Sequence, residues 1–404
     1  MKSYRFVFLI GTAAAILAFA PAIWAAPQPG HAQITGIPAI ALSRHGQYLA
    51  AITLHRGRTV LTVANAEGGN AHAITIPGGC EAVSVHWAPH RNRLAILSDC
   101  KSGSSHDVQS SGALWVLDVH DPHFLRKLAD FNGTASQLQW RSDGKVIAFL
   151  YTPAARAGSH TSVIAAVPAS GGALHIESPA GFDVHEFHLS RFANNLAYTA
   201  TPAVEASAPP KLYMVTDGQT RLALDPATAT GALHNVQIRS PRWSFGAGQP
   251  GSLFFLGKSA TGSAIVASNL YLRMASHKVP IANLTSTEQG SLAWFMPTMG
   301  TSAFATRIVG GSTQLMGYTA SDAQIGPQQR YSWRDSTVLC TIPGTITDGH
   351  GPGSMAFAGG PYGGKVAYFE YPNSDGPPVL RERDVSARQC SPQRTINLVA
   401  VAAK

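Results

Sequence analysis

The sequence has few charged residues. Asp, Glu, Lys and Arg make up 13% of the 404 residues, about half of the usual quarter. Turn-forming residues are frequent, with 39 glycines and 26 prolines. A chain with few charges and many turn formers favours short strands joined by tight turns over long surface helices.

Signals for nucleic-acid binding and for a membrane span are also missing. The formal net charge is +8, but Lys and Arg are scattered and never form a run of four. We interpret them as a mildly basic solvated surface and expect no nucleic-acid partner. Beyond the first residues, no segment has about eighteen consecutive apolar residues, so we expect no stable membrane span after signal cleavage.

Residues 1–25 have the layout of a secretory signal peptide. A short basic start precedes the apolar run Phe6–Ala20, and Pro21 then breaks any helix. The run is shorter than the roughly 20 residues that span a bilayer, which favours a cleaved leader over a retained anchor. We expect cleavage after Ala25 and a single domain over residues 26–404.

One phrase recurs along the rest of the chain. It consists of an alternating apolar strand, a turn and a second apolar strand, and Ser136–Tyr151 is a clear copy. The copies begin near residues 39, 83, 136, 185, 240, 291 and 354. A period near fifty residues, with a hairpin in each unit, is typical of propeller repeats.

The repeat predicts an all-β fold: a seven-bladed β-propeller with four-stranded antiparallel blades. Turns such as Asp143-Gly144 supply the left-handed backbone angles that a hairpin needs. Most units carry a second strand pair, such as Gly112–Asp118 followed by Leu125–Ala129. Stacked blades bury both faces of each sheet, and a closed ring protects the terminal blades. Six or eight blades remain alternatives because the sixth copy is poorly defined.

A resemblance to a known family rests on this repeat. The segment Trp140–Phe149 resembles the "W-S-P-D-G-K-x-I-A-F" repeat of TolB-like propellers and of the N-terminal propellers of prolyl-oligopeptidase-type (dipeptidyl peptidase-like) serine peptidases. Pro241–Ser244, followed by Ser268–Leu272, is similar to another blade of those peptidases. The resemblance covers nearly the whole mature chain and implies the repeat class rather than one function. It also implies a periplasmic location, with an extracellular one as the alternative.

The peptidases of this group carry an α/β-hydrolase domain, whose marker is Gly-x-Ser-x-Gly. The sequence contains no such pentapeptide, and Gly300-Thr301-Ser302 lacks the final Gly. We therefore expect no catalytic residue of that kind and a non-catalytic binding or scaffold module. Two alternatives stay open: an orphan or truncated peptidase propeller that gates or partners a separate hydrolase domain, and a propeller enzyme that uses channel residues, such as a lactonase or lyase.

Sixteen histidines invite a metal hypothesis. His185 and His188 fall three residues apart on a predicted strand, where they point to opposite faces and do not easily share an ion. We expect no metal site and no cofactor.

Tryptophan recurs at one position of the repeat, in Trp87, Trp140 and Trp243. This periodicity favours packing between blades over stacking on a ligand.

The longest polar insertions fall between the second and third strands of a blade, at 101–111, 153–162, 202–210 and 258–267. Successive strands are antiparallel, so these connections emerge on one face of the ring, and loops of about ten residues exceed what a hairpin requires. We predict that this face binds a protein partner of the cell envelope, with tolerated loop drift as the alternative. The candidate binding residues are Lys101, His106, Arg156, His160 and Lys258.

An even number of cysteines in an exported chain predicts disulfides. Cys80 precedes the first strand of the second blade and Cys100 follows its second strand, so the hairpin brings the two opposite each other. The pair Cys340–Cys390 follows mainly by elimination and would tie the sixth blade to the seventh.

Overall fold

The computed structural model describes part of the chain, all of it within one compact unit that spans residues 34–404. The described residues are 39–55, 58–101, 110–154, 161–190, 195–205, 207–216, 218–229, 234–243, 253–259, 262–268, 278–285, 291–297, 302–309, 312–321, 332–342, 355–360, 363–370, 379–386, 389–396 and 398. The predicted signal peptide, residues 1–25, lies outside them.

Antiparallel strands join in chain order into separate sheets. The first sheet contains β1 (Ala39–Leu42), β2 (Tyr48–His55), β3 (Arg58–Asn65) and β4 (His72–Ile74). The second sheet has seven strands, β5 (Glu81–Trp87), β6 (Arg93–Lys101), β7 (Ser110–Asp118), β8 (Asp121–Trp140), β9 (Val146–Pro153), β10 (Val163–Pro168) and β11 (His175–Ile176).

Each of the remaining sheets has four strands. One contains β12 (Phe182–Leu189), β13 (Leu196–Pro202), β14 (Lys211–Thr216) and β15 (Gln219–Leu224), and the next β16 (Gln237–Trp243), β17 (Leu253–Ser259), β18 (Gly262–Ser268) and β19 (Lys278–Thr285). The last two contain β20 (Ser291–Pro297), β21 (Ser302–Val309), β22 (Ser312–Ser321) and β23 (Ser332–Ile342), then β24 (Met355–Gly360), β25 (Gly363–Glu370), β26 (Val379–Ser386) and β27 (Arg394–Thr395).

The seven-stranded sheet consists of two four-stranded groups that share β8. This strand pairs with β7 up to Asn132 and with β9 from Gly133 onwards. Gly133 has φ +135°, and a Cβ there would lie 2.2 Å from the carbonyl oxygen of Thr152. Only glycine fits such a backbone without strain, so Gly133 lets the chain pass from one group directly into the next.

We call each four-stranded group a blade, divide β8 at Gly133 and number the blades in chain order. The prediction of an all-β propeller with four-stranded antiparallel blades is confirmed. The first strand of each blade begins within three residues of a predicted repeat start. The total number of blades stays a prediction, because segments between the sheets lie outside the described residues.

The second strands of the blades are buried on both sides. In β13, every residue from Leu196 to Thr201 is buried, and β9 is buried from Ile147 to Leu150. Neighbouring blades cover both faces of each sheet, so these strands are buried along their length and mainly apolar instead of strictly alternating.

Apolar clusters join neighbouring blades around the ring. Separate clusters span blades one and two, two and three, three and four, four and five, and six and seven. Strands of blades five and six are also in contact. A further cluster joins the last blade to the first, with Phe369 and Leu380 packed against Ile40 and Leu49. Strand β1 pairs with β2 and β24 pairs with β25, so each of these strands pairs within its own blade. In the described strands, the last blade is therefore joined to the first by side-chain packing.

Both predicted disulfides are present. Cys80 and Cys100 have Cα atoms 4.1 Å apart and lock the ends of the first hairpin of blade two. Cys340 and Cys390 have Cα atoms 5.6 Å apart and link the outer strand of blade six to the end of blade seven. The second bond holds a part of blade seven whose outer strand, β27, pairs with β26 through two residues only.

None of the described residues forms a helix with the length and apolarity that crossing a membrane requires.

Candidate functional site

The predicted partner-binding residues lie mostly beyond the described structure. His106, Arg156 and His160 are outside it, and Lys101 is described only as the last residue of β6. Lys258 is exposed near the end of β17, next to the connection from the second to the third strand of blade five. The predicted long insertion at 258–267 is wrong, because Gly262–Ser268 forms β18 and pairs with β17 down to Ser259. The assignment of these residues to a binding face stays a prediction.

A cleft of about 610 Å³ lies at the opposite end of the blades, between blades two and three. Its walls come from the turn after β5, the turn after β8 and the turn after β10. In an antiparallel blade, these first-to-second and third-to-fourth turns lie at one end, and the second-to-third connections lie at the other. The lining residues are Ala88, His90, Arg91, Arg93, Arg126, Trp140, Asp143, Gly144, Lys145, Ala169 and Ser170.

Acidic partners neutralise part of the positive charge around this cleft. Arg93 pairs with Asp118 at 3.5 Å, and Arg141 pairs with Asp143 at 2.7 Å. The hydrogen bond from Arg141 holds the pKa of Asp143 below its usual value, against a smaller opposing effect of burial. Asp143 is therefore ionised at neutral pH.

Four further cations around the cleft have no carboxylate partner within the part of the chain that the structure describes. Arg126 donates to the carbonyl oxygens of Ala169 and Ser170, at 2.8 and 2.6 Å. Arg44 donates to the carbonyl oxygen of Pro89 and lies 3.0 Å from His90 Nδ1, at the edge of the cleft. The other two are Arg91 and Lys145, both exposed.

The floor of the cleft is apolar. It is formed by Ala88 and Trp140, which are 6% exposed each, and by the partly buried Ala169. The Trp140 indole N–H donates to the carbonyl oxygen of His86 on the neighbouring inner strand, at 2.9 Å. Trp87 makes the equivalent contact with Ala41, at 3.0 Å. The indoles thus pack between blades, as the repeat predicted, and the one at the floor is held in place.

Polar side chains connect the innermost strands of blades three to five. The Gln137 side chain donates to the carbonyl oxygen of His185 and accepts from Phe187 N–H, at 2.8 and 3.1 Å. Gln139 repeats this arrangement with the carbonyl oxygen of Phe187 and Leu189 N–H, at 2.8 and 2.9 Å. Two amide side chains therefore satisfy backbone groups on the free edge of β12, where no further strand pairs.

Ionisable side chains make the next connection, from blade four to blade five. Glu186 accepts a hydrogen bond from Ser240 N–H, and His188 Nδ1 accepts one from Trp243 N–H at 3.2 Å. Ser240 has φ +48° and lies in a bulge of β16 between Arg239 and Arg242. A bulge releases a residue from the ladder, which frees this N–H for the neighbouring blade.

Burial changes the proton affinity of this pair. It raises the pKa of Glu186, with the Ser240 hydrogen bond and Arg242 opposing the shift. It lowers the pKa of His188 well below the ordinary value, and Arg242 and His86 act in the same direction. The contact also requires an unprotonated Nδ1, because that atom accepts a hydrogen bond. His188 is therefore neutral at physiological pH.

His185 and His188 have different partners. His185 Nε2 lies 2.9 Å from Thr201 Oγ1, whereas His188 contacts the backbone of blade five. Among the described residues, no group of three His, Cys, Asp or Glu side chains is placed to hold a metal ion.

Sequence comparisons give no relative. No family model matches the chain, and no curated protein matches it at a significant level.

Solved structures match at the level of the fold. A structure from a study of two prolyl endopeptidases, which concerns the role of inter-domain dynamics in catalysis and specificity, has a TM-score of 0.57 and 11% identity over 89% of this chain and 50% of that chain. Pyrococcus horikoshii acylaminoacyl peptidase has a TM-score of 0.51 and 10% identity, over 90% of this chain and 53% of that chain. This chain thus spans about half the length of these two structures.

The neighbours also include an isolated propeller domain and TolB. The β-propeller domain of the Trilobed protease from Pyrococcus furiosus has a TM-score of 0.48 and 9% identity, over 89% of this chain and 98% of that chain. TolB from Acinetobacter baumannii has a TM-score of 0.42 and 12% identity, over 73% of this chain and 66% of that chain. The structural neighbours of this propeller thus include peptidases, one of the two kinds of protein that the repeat resembled.

Proposed function

We propose that this chain is an exported propeller that binds a protein partner in the cell envelope and carries out no chemistry of its own. The use of the inner-strand polar groups supports this proposal. Gln137, Gln139, Glu186 and His188 each bind the backbone of the neighbouring blade. A catalytic acid or base has to reach the substrate, whereas these groups hold the ring together and present a rigid platform.

The cysteine chemistry supports export. Both disulfides need an oxidising compartment, and neither is typical of a cytosolic protein. The signal-like segment of residues 1–25 points the same way, and the periplasm is the proposed location, with an extracellular one as the alternative. Cleavage after Ala25 would leave residues 26–404 as the propeller.

The proposed docking face is the end of the ring that carries the second-to-third connections, with Lys101, His106, Arg156, His160 and Lys258. The exposed cation Lys258 offers the sharpest test. We expect Lys258→Glu to weaken partner capture from an envelope extract several-fold, because a reversed charge adds repulsion at the interface. Arg221→Glu is the matched control, since Arg221 is exposed on the outer strand of blade four.

Shortening the three long second-to-third connections, those of blades two, three and four, extends this test. We expect the captured proteins, identified by mass spectrometry, to be lost from the shortened variant while its unfolding midpoint stays unchanged. If the shortened variant and the unaltered chain capture the same partner equally well, the assignment of the docking face is wrong.

The match to a prolyl endopeptidase favours one second candidate, a peptidase-type propeller that gates or partners a separate hydrolase domain. The support for this alternative is the TM-score of 0.57 between this chain and the prolyl endopeptidase structure, over 89% of this chain. Copurification of a protein with a Gly-x-Ser-x-Gly motif would support it, whereas copurification of envelope proteins without hydrolase motifs supports the first proposal.

A further inference from the structure

We propose that the cleft between blades two and three is a binding site for a small organic anion, a carboxylate or a phosphate ester. This inference does not rest on the proposed function, because the cleft lies at the other end of the blades from the proposed docking face.

The shape of the cleft fits a small molecule. Its volume of about 610 Å³ lies within the roughly 300–1,000 Å³ that is usual for ligand clefts. Such sites combine an apolar surface with a few placed polar groups. Here Trp140, Ala88 and Ala169 supply the apolar floor, and the turns of two blades supply the polar rim.

The charge at the rim selects the sign of the ligand. Arg91 and Lys145 extend from turns on opposite sides of the cleft, one in blade two and the other in blade three. Their side chains are exposed, and neither forms an ion pair with any described residue. The only carboxylate among the lining residues belongs to Asp143, which is already bound to Arg141. The Asp143 carboxylate also attracts Lys145, but its bond to Arg141 offsets that negative charge, so an oxyanion between Arg91 and Lys145 would meet a net attraction.

The third side of the cleft is held rigid. Arg126 binds the carbonyl oxygens of Ala169 and Ser170, which fixes the turn after β10 against the outer strand of blade two. Guanidinium groups have five N–H donors, and these two bonds use only part of that set. Arg126 therefore adds a positioned positive charge to the lining of the cleft that Arg91 and Lys145 share.

The arrangement assigns a role to each part. The anionic group of the ligand binds between Arg91 and Lys145, with charge-assisted hydrogen bonds that are stronger than neutral ones. Its carbon skeleton lies over the Trp140 floor. The indole is held through its bond to the His86 carbonyl oxygen, so binding requires little reorganisation.

Titration calorimetry on the full chain tests the site, with citrate and glucose 6-phosphate as anionic probes and glucose as the neutral one. We expect both anions to bind and glucose not to bind. Arg91→Gln and Lys145→Gln should each weaken binding by about tenfold, the effect of losing one charge-assisted hydrogen bond. Higher salt should also weaken it, because the two cations are exposed and therefore screened.

Arg221→Gln is the matched control, because it removes one exposed cation from the outer strand of blade four. It should leave anion binding unchanged. The unfolding midpoints of all three variants should equal that of the unaltered chain, so that a loss of binding reports on the site and not on the fold.

Two results would overturn the proposal. One is the absence of binding for both anions at millimolar concentration, and the other is binding that Arg91→Gln and Lys145→Gln leave unchanged. A short Asp- and Glu-rich peptide forms a further arm. If it binds more tightly than either small anion, the ligand is an acidic protein segment, and the small-molecule assignment is wrong. Failure of the Lys258 test has no bearing on these outcomes.

Discussion

The junction between blades two and three and the junction between blades four and five place a tryptophan at the same position of the repeat. At the first, the Trp140 indole N–H donates to the carbonyl oxygen of His86. At the second, the Trp243 indole N–H is buried and has no hydrogen-bond partner among the described residues. Instead, Glu186 and His188 bind the backbone of blade five. The two junctions therefore share a buried tryptophan at one repeat position, but different hydrogen bonds connect their blades.

The repeat therefore specifies where the blades pack, but it does not specify which hydrogen-bond partners their polar groups have. Both indoles occupy apolar clusters between blades and are nearly fully buried. An orphaned buried N–H costs about 1–3 kcal/mol. No described residue accepts a hydrogen bond from the Trp243 indole N–H, and the second junction has instead the hydrogen bonds that the bulged strand β16 donates to Glu186 and His188.

The largest expected effect comes from removing either ring. Trp140→Ala and Trp243→Ala should each lower the free energy of unfolding by about 3–5 kcal/mol, because a large side chain is lost from a packed cluster. Urea unfolding followed by circular dichroism measures both. A loss below about 1 kcal/mol at either position would mean that the two rings are not equivalent anchors.

The next effect isolates the polar connection of blades four and five. Glu186→Ala removes the acceptor of Ser240 N–H and the negative charge near Arg242, and it should cost about 1–3 kcal/mol. Glu186→Gln keeps an acceptor oxygen and should cost less. Equal losses for the two variants in urea unfolding would assign the effect to the charge and not to the hydrogen bond.

The pH dependence of stability should also distinguish the two junctions. The pKa of His188 is lowered in the folded protein, so between that pKa and about 6.5 the unfolded chain binds more protons. Stability from this group is present above about pH 6.5 and is lost as the pH falls, by at most about 1.4 kcal/mol per pH unit.

Glu186 acts in the opposite direction. Its pKa is raised, so its contribution is lost as the pH rises from about 4.5 through its folded value. The difference between the unaltered chain and His188→Gln therefore isolates the histidine. Between pH 5 and pH 8, the difference between the two unfolding midpoints should be constant above about pH 6.5 and should change only below it, as the unaltered chain loses stability. A pH-independent difference would contradict the assignment.

The smallest effect gives the sharpest comparison. Trp140→Phe removes a satisfied indole N–H and leaves the carbonyl oxygen of His86 without that donor, whereas Trp243→Phe removes an N–H that has no described partner. We expect the first variant to be less stable than the second by about 1 kcal/mol. If Trp243→Phe is the more damaging, then its indole N–H is satisfied after all.

Several features that define the fold could be predicted from the sequence alone. The repeat starts, the turn at Asp143-Gly144 and the pair Cys80–Cys100 all follow from local patterns of about twenty residues or fewer. In particular, Gly144 has φ +66°, as the hairpin turn requires. Hydrophobic periodicity and turn chemistry are short-range signals, so they can be recognised in a single chain.

The cleft could not be found in that way. Its cations Arg91 and Lys145 come from the turns of two blades and Arg126 comes from strand β8, and nothing in their spacing indicates that they line one cleft. The sequence signal that was available, a scatter of Lys and Arg without a run, indicated only a mildly basic surface. The charge of a cleft depends on which cations keep a carboxylate partner, and pairs such as Arg141 with Asp143 appear only in three dimensions.

The sequence-based expectation that His185 and His188 lie on opposite faces of a strand assumed an ideal strand. Between Val184 and Glu186 the register of β12 shifts, so the strict alternation of an ideal strand does not hold there. The neighbouring blade decided which atoms each side chain binds, and that information is spread over positions some fifty residues apart, as in the bond from Trp243 to His188.

By itself, the sequence determined the β architecture, the approximate blade boundaries, both disulfide pairs and the burial of the tryptophans, because each depends on apolar periodicity, turn residues or a count of cysteines. Only the tertiary structure decided the shared strand through Gly133, the closure of the ring by packing and the site between blades two and three. These features depend on backbone register and on the relative placement of blades. A polar group buried at a junction binds a partner in the neighbouring repeat, as Trp243 N–H binds His188.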